Sequence, residues 1–441
     1  MKIFLIGAGQ VGTTIVEALH EEHEVTVLDN ELLRLQAISG RFDVATYEGD
    51  GTSRKDLAAA GVASADLVIA CTSRDEVNLV AGMFARLETT GATTVIRCSN
   101  VEFVELWRGG QLDVDFVVSS ELETAYAISR IIGVPAARQT DVFAEGQVQL
   151  GEFDVEEGAS SEVIGVALRD AAVPADSKVA AIIRDSETIL PGGNDEIRVG
   201  DRIVVIGSPA AAKEWSSLLW PEGGTVRDVV IFGAGHVGMA IARVLLDQGL
   251  TVRMIEASRE QARRAAEALP NVRVYNATGF DPDFLERERI GQSQAGIFAM
   301  RDDAKNQYAA SLAQVHGIPF TIAIAHEAVS VLAFEQAGID VSVNPRGVTA
   351  EEIVRFAHDP RMQQVAMLEE NRYEVLDVTT RESSRYIGMT FRDMPVHGSL
   401  IGAIVRNGEA IFPHGNDVLH AGDRVIIFTE AANAPWVVEA L

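Results

Sequence analysis

One short motif occurs twice in this chain, and the repetition constrains everything else. Gly-Ala-Gly-Gln-Val-Gly at residues 7–12 returns as Gly-Ala-Gly-His-Val-Gly at residues 233–238. Later segments keep the same order and spacing: IGVALRD at Ile164 matches IGMTFRD at Ile387, the run ending at Asp195 matches the run ending at Asp417, and VGDRIVVIG matches AGDRVIIFT. Such self-similarity marks a duplicated unit. At 441 residues the chain exceeds what one core holds and suits three or four domains.

Each copy opens with short apolar runs separated by helical patterns. In the first copy these are IFLIG, a helix to His20, VTVLD, a second helix, VATYEGD, a helix from Ser53, DLVIAC, a long helix, TTVIRC and DFVVSS. Strands alternating with helices predict a parallel, doubly wound sheet. After Pro135 come strands without long helices (VQLGEFDV, KVAAIIRD, DRIVVIG) around one short helix expected near Glu162 to Arg169, a small α+β unit ending near Trp220. Pro221, Glu222, Gly223 and Gly224 read as the linker between copies. The second Rossmann unit then starts at Val226 and its small partner near Met367. The expected fold class is α/β, with two Rossmann-like doubly wound parallel sheets, each followed by a small α+β domain. The expected boundaries are 1–134 and 135–222 for the first pair, and 223–362 and 363–441 for the second.

Lys and Arg total 37 against 64 Asp and Glu, a net charge of -27 that repels phosphate backbones and anionic membrane surfaces. Nucleic acid is thereby excluded as an expected partner. The acid excess fits either a salt-rich cytoplasm or an ordinary soluble acidic protein. Cys71 and Cys98 each end an apolar run, which reads as buried strand thiols in a reducing compartment, with no disulfide framework or zinc spacing. The N-terminal apolar run stops after Ile6 with no cleavage pattern and reads as a first strand, not a signal peptide. Residues 306–326 carry no formal charge, but Asn306, Gln307, Tyr308, Gln314, His316 and the Gly317-Ile318-Pro319 breaker make them a helix and a strand, not a membrane span.

Gly7, Gly9 and Gly12 follow a strand and open a helix. This spacing gives a tight turn, a bare backbone that can approach a pyrophosphate, and close helix-to-strand packing. An anion is expected at the helix N-terminus. Asp29 ends the second strand where a ribose diol binder belongs, the bland alternative being glycines for packing and Asp29 as a helix cap. Asp50 lies either where adenine meets the crevice or in a plain turn or N-cap before the helix at Ser53. Thr72 and Ser73, with Asp75, Glu76 and Asn78 in the next helix, either lip the same crevice or merely cap that helix. Arg97, in an otherwise apolar run, suits a phosphate, against an ion pair with nearby acids.

In the second copy Gly233, Gly235 and Gly238 are intact, and Glu256 takes the place of Asp29. Thr278 matches Asp50, Ala277 matches Gly49, and no Arg or Lys occurs between Lys305 and Arg346, so the counterpart of Arg97 is missing. The second loop is either an occupied site or a retained packing element. His236 inside the loop and His326, His358, His397, His414 and His420 elsewhere show no metal-ligand spacing, and no metal site is expected.

These motifs (GAGQVG, Asp29, EGDGTS, CTSRDEVN, IRCS, then a small domain ending in GND and VGDRIVVIG) and their repetition resemble the TrkA family, the peripheral regulatory subunits of Trk-type potassium uptake systems. In that family each half pairs a Rossmann-like N-terminal RCK domain with a small C-terminal one, and the resemblance spans nearly the whole chain. It implies NAD(H), with ATP or ADP as alternatives, held by Gly7, Ala8, Gly9, Gln10, Val11, Gly12, Asp29, Asp50, Thr72, Ser73 and Arg97. Gly233, Ala234, Gly235, His236, Val237, Gly238 and Glu256 form the implied weaker second site. It further implies a homo-oligomeric ring, tetrameric or a dimer of dimers, docked on a membrane-embedded Trk potassium transporter at the inner face of the membrane, where nucleotide-dependent rearrangement gates the potassium path.

The main rival is an NAD-dependent oxidoreductase, which the fingerprint alone allows. The residues repeated in the small domains are glycines, apolar groups and turn residues, without a His, Lys or Tyr set to act as acid or base, so no catalytic residue is expected. A regulator of another cation transporter or antiporter is the third reading.

Overall fold

A computed structural model describes residues 1–185, 187–221, 226–354, 362–368, 372–394 and 398–441. Glu222, Gly223 and Gly224 of the expected linker, and His358 and His397, lie outside the described residues.

The first copy begins with β1 (Lys2–Ile6), α1 (Gln10–Leu19), β2 (Glu24–Asp29), α2 (Leu32–Ser39), β3 (Ala45–Glu48), α3 (Arg54–Ala59), β4 (Leu67–Ala70), α4 (Asp75–Glu88), β5 (Thr93–Cys98), α5 (Val101–Arg108), β6 (Phe116–Ser119) and α6 (Ser120–Gly133). Its six strands pair in parallel in the order β3-β2-β1-β4-β5-β6. β4 is buried along its whole length and β1 from Ile3 onward, because helices cover both faces of a parallel sheet. The strand order reverses between β1 and β4, which opens a crevice at their carboxyl ends.

The small domain follows as β7 (Ala137–Phe143), β8 (Val148–Asp154), β9 (Ser177–Arg184), β10 (Glu187–Ile189), β11 (Arg202–Gly207) and α7 (Pro209–Leu219), its five strands antiparallel in the order β10-β9-β11-β8-β7. The short helix expected near Glu162 to Arg169 does not form; that stretch holds turns and two isolated bridges, Ile164 to Ile197 and Ala167 to Glu196. Gly165 turns the chain at φ 71°, and the amides of Gly165, Leu168 and Arg169 donate to the carbonyls of Ile197, Asp195 and Gly193. Donors spent on a neighbouring loop are lost to a helix. The α-helix described in this domain is α7, where Ser208 Oγ accepts from Ala211 N and Pro209 takes the first turn. Trp215 on α7 is fully buried and donates from Nε1 to Ser177 Oγ at 2.9 Å.

The second copy repeats both patterns. β12 (Asp228–Phe232), α8 (His236–Asp247), β13 (Thr251–Glu256), α9 (Arg259–Ala268), β14 (Arg273–Asn276), α10 (Pro282–Arg287), β15 (Ala295–Phe298), α11 (Asp303–Val315), β16 (Thr321–Ile324), α12 (Ala328–Gln336), β17 (Val341–Val343) and α13 (Pro345–Val354) build a parallel sheet ordered β14-β13-β12-β15-β16-β17. β18 (Met362–Leu368), β19 (Tyr373–Thr379), β20 (Ser399–Arg406), β21 (Glu409–Ile411), β22 (Arg424–Glu430) and α14 (Ala434–Ala440) build an antiparallel sheet ordered β18-β19-β22-β20-β21.

Packing does not follow the order of the copies. Met1–Ile128 and Asp228–His358 form one compact unit, and Ser129–Arg227 and Asp359–Leu441 the other, so like packs with like. In the Rossmann unit α1 of the first copy lies against α13 of the second. In the other unit the two small sheets share one core that includes Phe143, Leu150, Ile206, Tyr373 and Phe428. Gly402 is required there, since a Cβ would fall 2.6 Å from the Ile206 side chain. No described helix is long and apolar enough to cross a membrane.

The repeated Gly-Asp-Arg turn anchors each small domain through its aspartate. Asp201 accepts two hydrogen bonds from Arg184, each at 2.7 Å, and a third from Arg198 N; Asp423 repeats this with Arg406 and His420 N. The Asp201 side chain is 2% exposed. Replacing Asp201 with Ala strips a bidentate guanidinium of its partner and should cost about 3 kcal/mol in denaturant unfolding, whereas Asp170→Ala, at an exposed pair with Arg169, should cost less than about 1 kcal/mol.

Candidate functional site

At the carboxyl end of β1 the chain must turn into α1 within three residues. Gly7 does so at φ 111°, its amide donating to Leu28 O at 2.8 Å. A Cβ on Gly12 would stand 2.0 Å from the Gly7 carbonyl oxygen, so only glycine lets the helix start this close to the strand. A Cβ on Gly9 would meet no atom within 4 Å, because that residue faces open space. No side chain caps α1, so its first amides have neither an intrahelical acceptor nor a side-chain one.

Asp29, buried at the end of β2, ties this turn to the sheet. Its Oδ2 accepts from Ala8 N at 2.6 Å and its Oδ1 from Glu31 N at 2.8 Å, and a carboxylate retains acceptor capacity beyond two such bonds. The helix-cap alternative for Asp29 gives way to this double tether, since α2 begins only at Leu32.

The crevice is a cavity of about 640 Å³, within the roughly 300–1,000 Å³ common to small-molecule sites. It brings together Gly7, Gly9, Gln10, Val11, Asp29, Asp50, Thr72, Ser73 and Arg97, while Ala8 and Gly12 do not line it. Asp50 Oδ1 accepts from both the amide and the hydroxyl of Thr52 at 2.8 Å, which holds its carboxyl below the usual range. It is therefore a turn residue as well as a wall of the cavity, and the cap of α3 is Ser53. Asp75, Glu76 and Asn78 do not line the cavity. Asn78 is instead a buried clamp, accepting from Thr72 N and Oγ1 and donating to the carbonyls of Thr72 and Arg97.

Arg97 donates from Nε to Ser120 Oγ at 2.8 Å and from a terminal nitrogen to Thr72 O at 3.4 Å. No ion pair within 4.0 Å holds it among the described residues, although its charge acts on the nearby Glu121 carboxyl. Three further arginines line the cavity: Arg34, Arg74 and, from the second copy, Arg346. Arg34 and Arg74 sit beside named motif residues and were open to detection; Arg346 carries no local signal. Burial pushes the thiols of Cys71 and Cys98 up to about 12, which leaves them unreactive.

The second copy keeps this skeleton. Gly233 turns at φ 107°, a Cβ on Gly238 would lie 2.1 Å from Gly233 O, and Glu256 accepts from Ala234 N at 2.8 Å and Ser258 N at 2.7 Å. Asn306 repeats the clamp, donating to the carbonyls of Met300 and Ile324. Ile324 therefore stands where Arg97 stands in the first copy. The cavity is smaller, about 350 Å³, and Phe280 and Met300 enter its wall beside Gly233, Gly235, Glu256 and Thr278. Ala234, His236, Val237 and Gly238 do not line it, whereas Arg301 and Lys305, outside the expected set, do. Among the described residues no cluster of three or more His, Cys, Asp or Glu is placed to hold a metal ion.

Two doubly wound sheets with glycine turns at their switch points, each trailed by a small antiparallel sheet, give this chain a tandem RCK-type fold. The solved GsuK RCK domain has the same fold, with a TM-score of 0.60 at 18% identity over 100% of this chain and 95% of its own. A GsuK channel bound to NAD gives 0.60 at 17% over 100% and 79%. The chain belongs to the TrkA family: the TrkA-N domain matches residues 3–120 and 229–345, and the TrkA-C domain residues 152–219 and 375–435. The Trk system potassium uptake protein TrkA homolog of Archaeoglobus fulgidus is 31% identical over 433 residues, covering 98% of this chain and 97% of that relative.

Gly12→Ala should destabilise the protein by about 1–3 kcal/mol through overpacking against Gly7, while Gly9→Ala should stay within about 0.5 kcal/mol; thermal unfolding of both variants tests the contrast. A second expectation concerns Glu121 in the first turn of α6, whose Oε2 is buried without a hydrogen-bond partner among the described residues. Burial pushes its carboxyl from 4.5 up to about 7. Between those values the folded chain holds a proton that the unfolded chain has released, so this group costs stability as pH rises from 4.5 to 7. Glu121→Gln should match the wild type near pH 4 and be the more stable of the two at pH 8, as read from urea midpoints.

Proposed function

We propose that the first Rossmann unit binds an adenine nucleotide, NAD(H) first and ATP or ADP as alternatives, and that the protein acts as a regulatory subunit of a Trk-type membrane potassium transporter. The observation that carries this reading is the pairing of an uncapped glycine turn with Asp29 and Arg97 around one cavity. An extended diphosphate meets bare amides and a guanidinium there, and a ribose meets a carboxylate. The second cavity, with Ile324 in place of Arg97 and Phe280 and Met300 in its wall, is the weaker site of the same reading.

The transport role comes from family membership and from the name borne by the Archaeoglobus relative. With it we propose a homo-oligomeric ring, tetrameric or a dimer of dimers, at the cytoplasmic face of the membrane subunit. A ligand shifts such a ring only through its different affinities for two arrangements, and a site at a domain edge supplies that difference without making or breaking a bond. A non-enzymatic role is supported by membership of the TrkA family and by the potassium-uptake name that the Archaeoglobus relative bears.

Calorimetry should detect binding of NADH, ATP or ADP with micromolar dissociation constants, and NADH incubated with the protein and common carbonyl substrates should not be consumed. Arg97→Ala should weaken binding by roughly 1.5–3 kcal/mol, the range for hydrogen bonds to charged groups. Steady NADH oxidation would instead favour the oxidoreductase.

A further inference from the structure

We propose that Arg346, carried by the second Rossmann unit, is a phosphate-binding residue of the first unit's cavity, and that Glu327 holds it in reserve until a phosphate arrives. The inference rests on the nucleotide reading of that cavity.

Arg346 belongs by sequence to the second copy, where it donates to His326 O at 2.5 Å and pairs with Glu327 Oε1 at 3.3 Å. It nevertheless lines the first cavity, because α13 packs against α1. Glu327 joins the two copies: its other oxygen, Oε2, accepts from the side-chain amide of Gln10 at 2.8 Å. Gln10 is the first residue of α1 and part of the glycine turn. One carboxylate of the second copy thus touches both the loop and the guanidinium that border the first cavity.

This pair is easily exchanged. The Arg346 side chain is 36% exposed and that of Glu327 55%, and ion pairs so open to water are weak. A phosphate offers the guanidinium a shorter, bidentate and more highly charged partner. It would also sit at the uncapped start of α1, where negative charge is favoured. Local cations matter here because a chain of net charge -27 repels anions at long range.

The arrangement is one-sided. Val118 pairs with Arg97 and Val343 with Ile324, so the position three residues on is Glu121 in the first copy and Arg346 in the second. The first copy offers no reciprocal cation from that position. Binding in the first cavity moves Arg346 from Glu327 to the ligand and alters the β16–α12 connection of the second unit, which couples occupancy of one copy to the conformation of the other.

The test titrates ADP, ATP and NADH into the full chain, with adenosine as a phosphate-free control. Arg346→Ala should weaken binding of the phosphate-bearing ligands roughly tenfold or more and leave adenosine unchanged. A loss confined to ATP and ADP assigns Arg346 to terminal phosphates, and one shared by NADH assigns it to the pyrophosphate. Glu327→Gln, which releases the arginine, should tighten the same ligands several-fold and guards against misfolding of the first variant. Unchanged nucleotide affinity in both variants overturns the inference and leaves the nucleotide reading standing. Equal loss of adenosine and nucleotides in Arg346→Ala, with no change in Glu327→Gln, overturns it in favour of a packing role. A wild type that binds none of the nucleotides overturns both readings.

Discussion

The contact between Gly12 and the Gly7 carbonyl governs the geometry of the first unit. Because no Cβ intervenes, α1 can begin after a turn of only three residues from β1 and aim its unsatisfied amides out of the sheet's carboxyl edge. Asp29 then tethers the turn through Ala8 N, so the loop is fixed at the sheet's switch point. Thr72, Asp50 and Arg97 come into range only because β4, β3 and β5 end at the same edge.

Duplication separates framework from lining. The framework bonds recur nearly atom for atom: Asp29 and Glu256 on the loop amide, Asn78 and Asn306 across two strand ends, Asp75 and Asp303 on the amides after β5 and β16, Asp201 and Asp423 under their arginines. Asp29, Asn78, Asn306, Asp201 and Asp423 are buried, and removing one of these leaves its polar partners unpaired, which is costly. The lining diverges freely, with Asp50 answered by Thr278, Thr72 by Met300 and Arg97 by Ile324. The two cavities differ in size and polarity as a result.

The copies are intermingled in space. Rossmann sheets share one unit and the small sheets the other, with Gln147 of the first small domain bonded to the backbone of Gly408 and Ala410 of the second. A change at one cavity is therefore set against an element of the other copy from the outset, through α1 on α13.

Much of this was legible in the chain itself. The tandem repeat, the six strands of the parallel sheet and the turn and packing roles of Gly7 and Gly12 follow from local spacing, because a strand, a tight turn and a helix dictate which residue can stand at each step. Two features were not. Residues 162–169 have an apolar pattern compatible with a helix, yet their amides bond to residues 193–197, a competition invisible without the neighbouring loop. Arg346 reads as an ordinary second residue of a helix; only the packing of α13 on α1 carries it to a cavity built by the other copy. Short-range sterics and hydrogen bonding are written in residue order, whereas contacts between distant segments depend on how finished elements pack, and that packing exists only once the chain has folded.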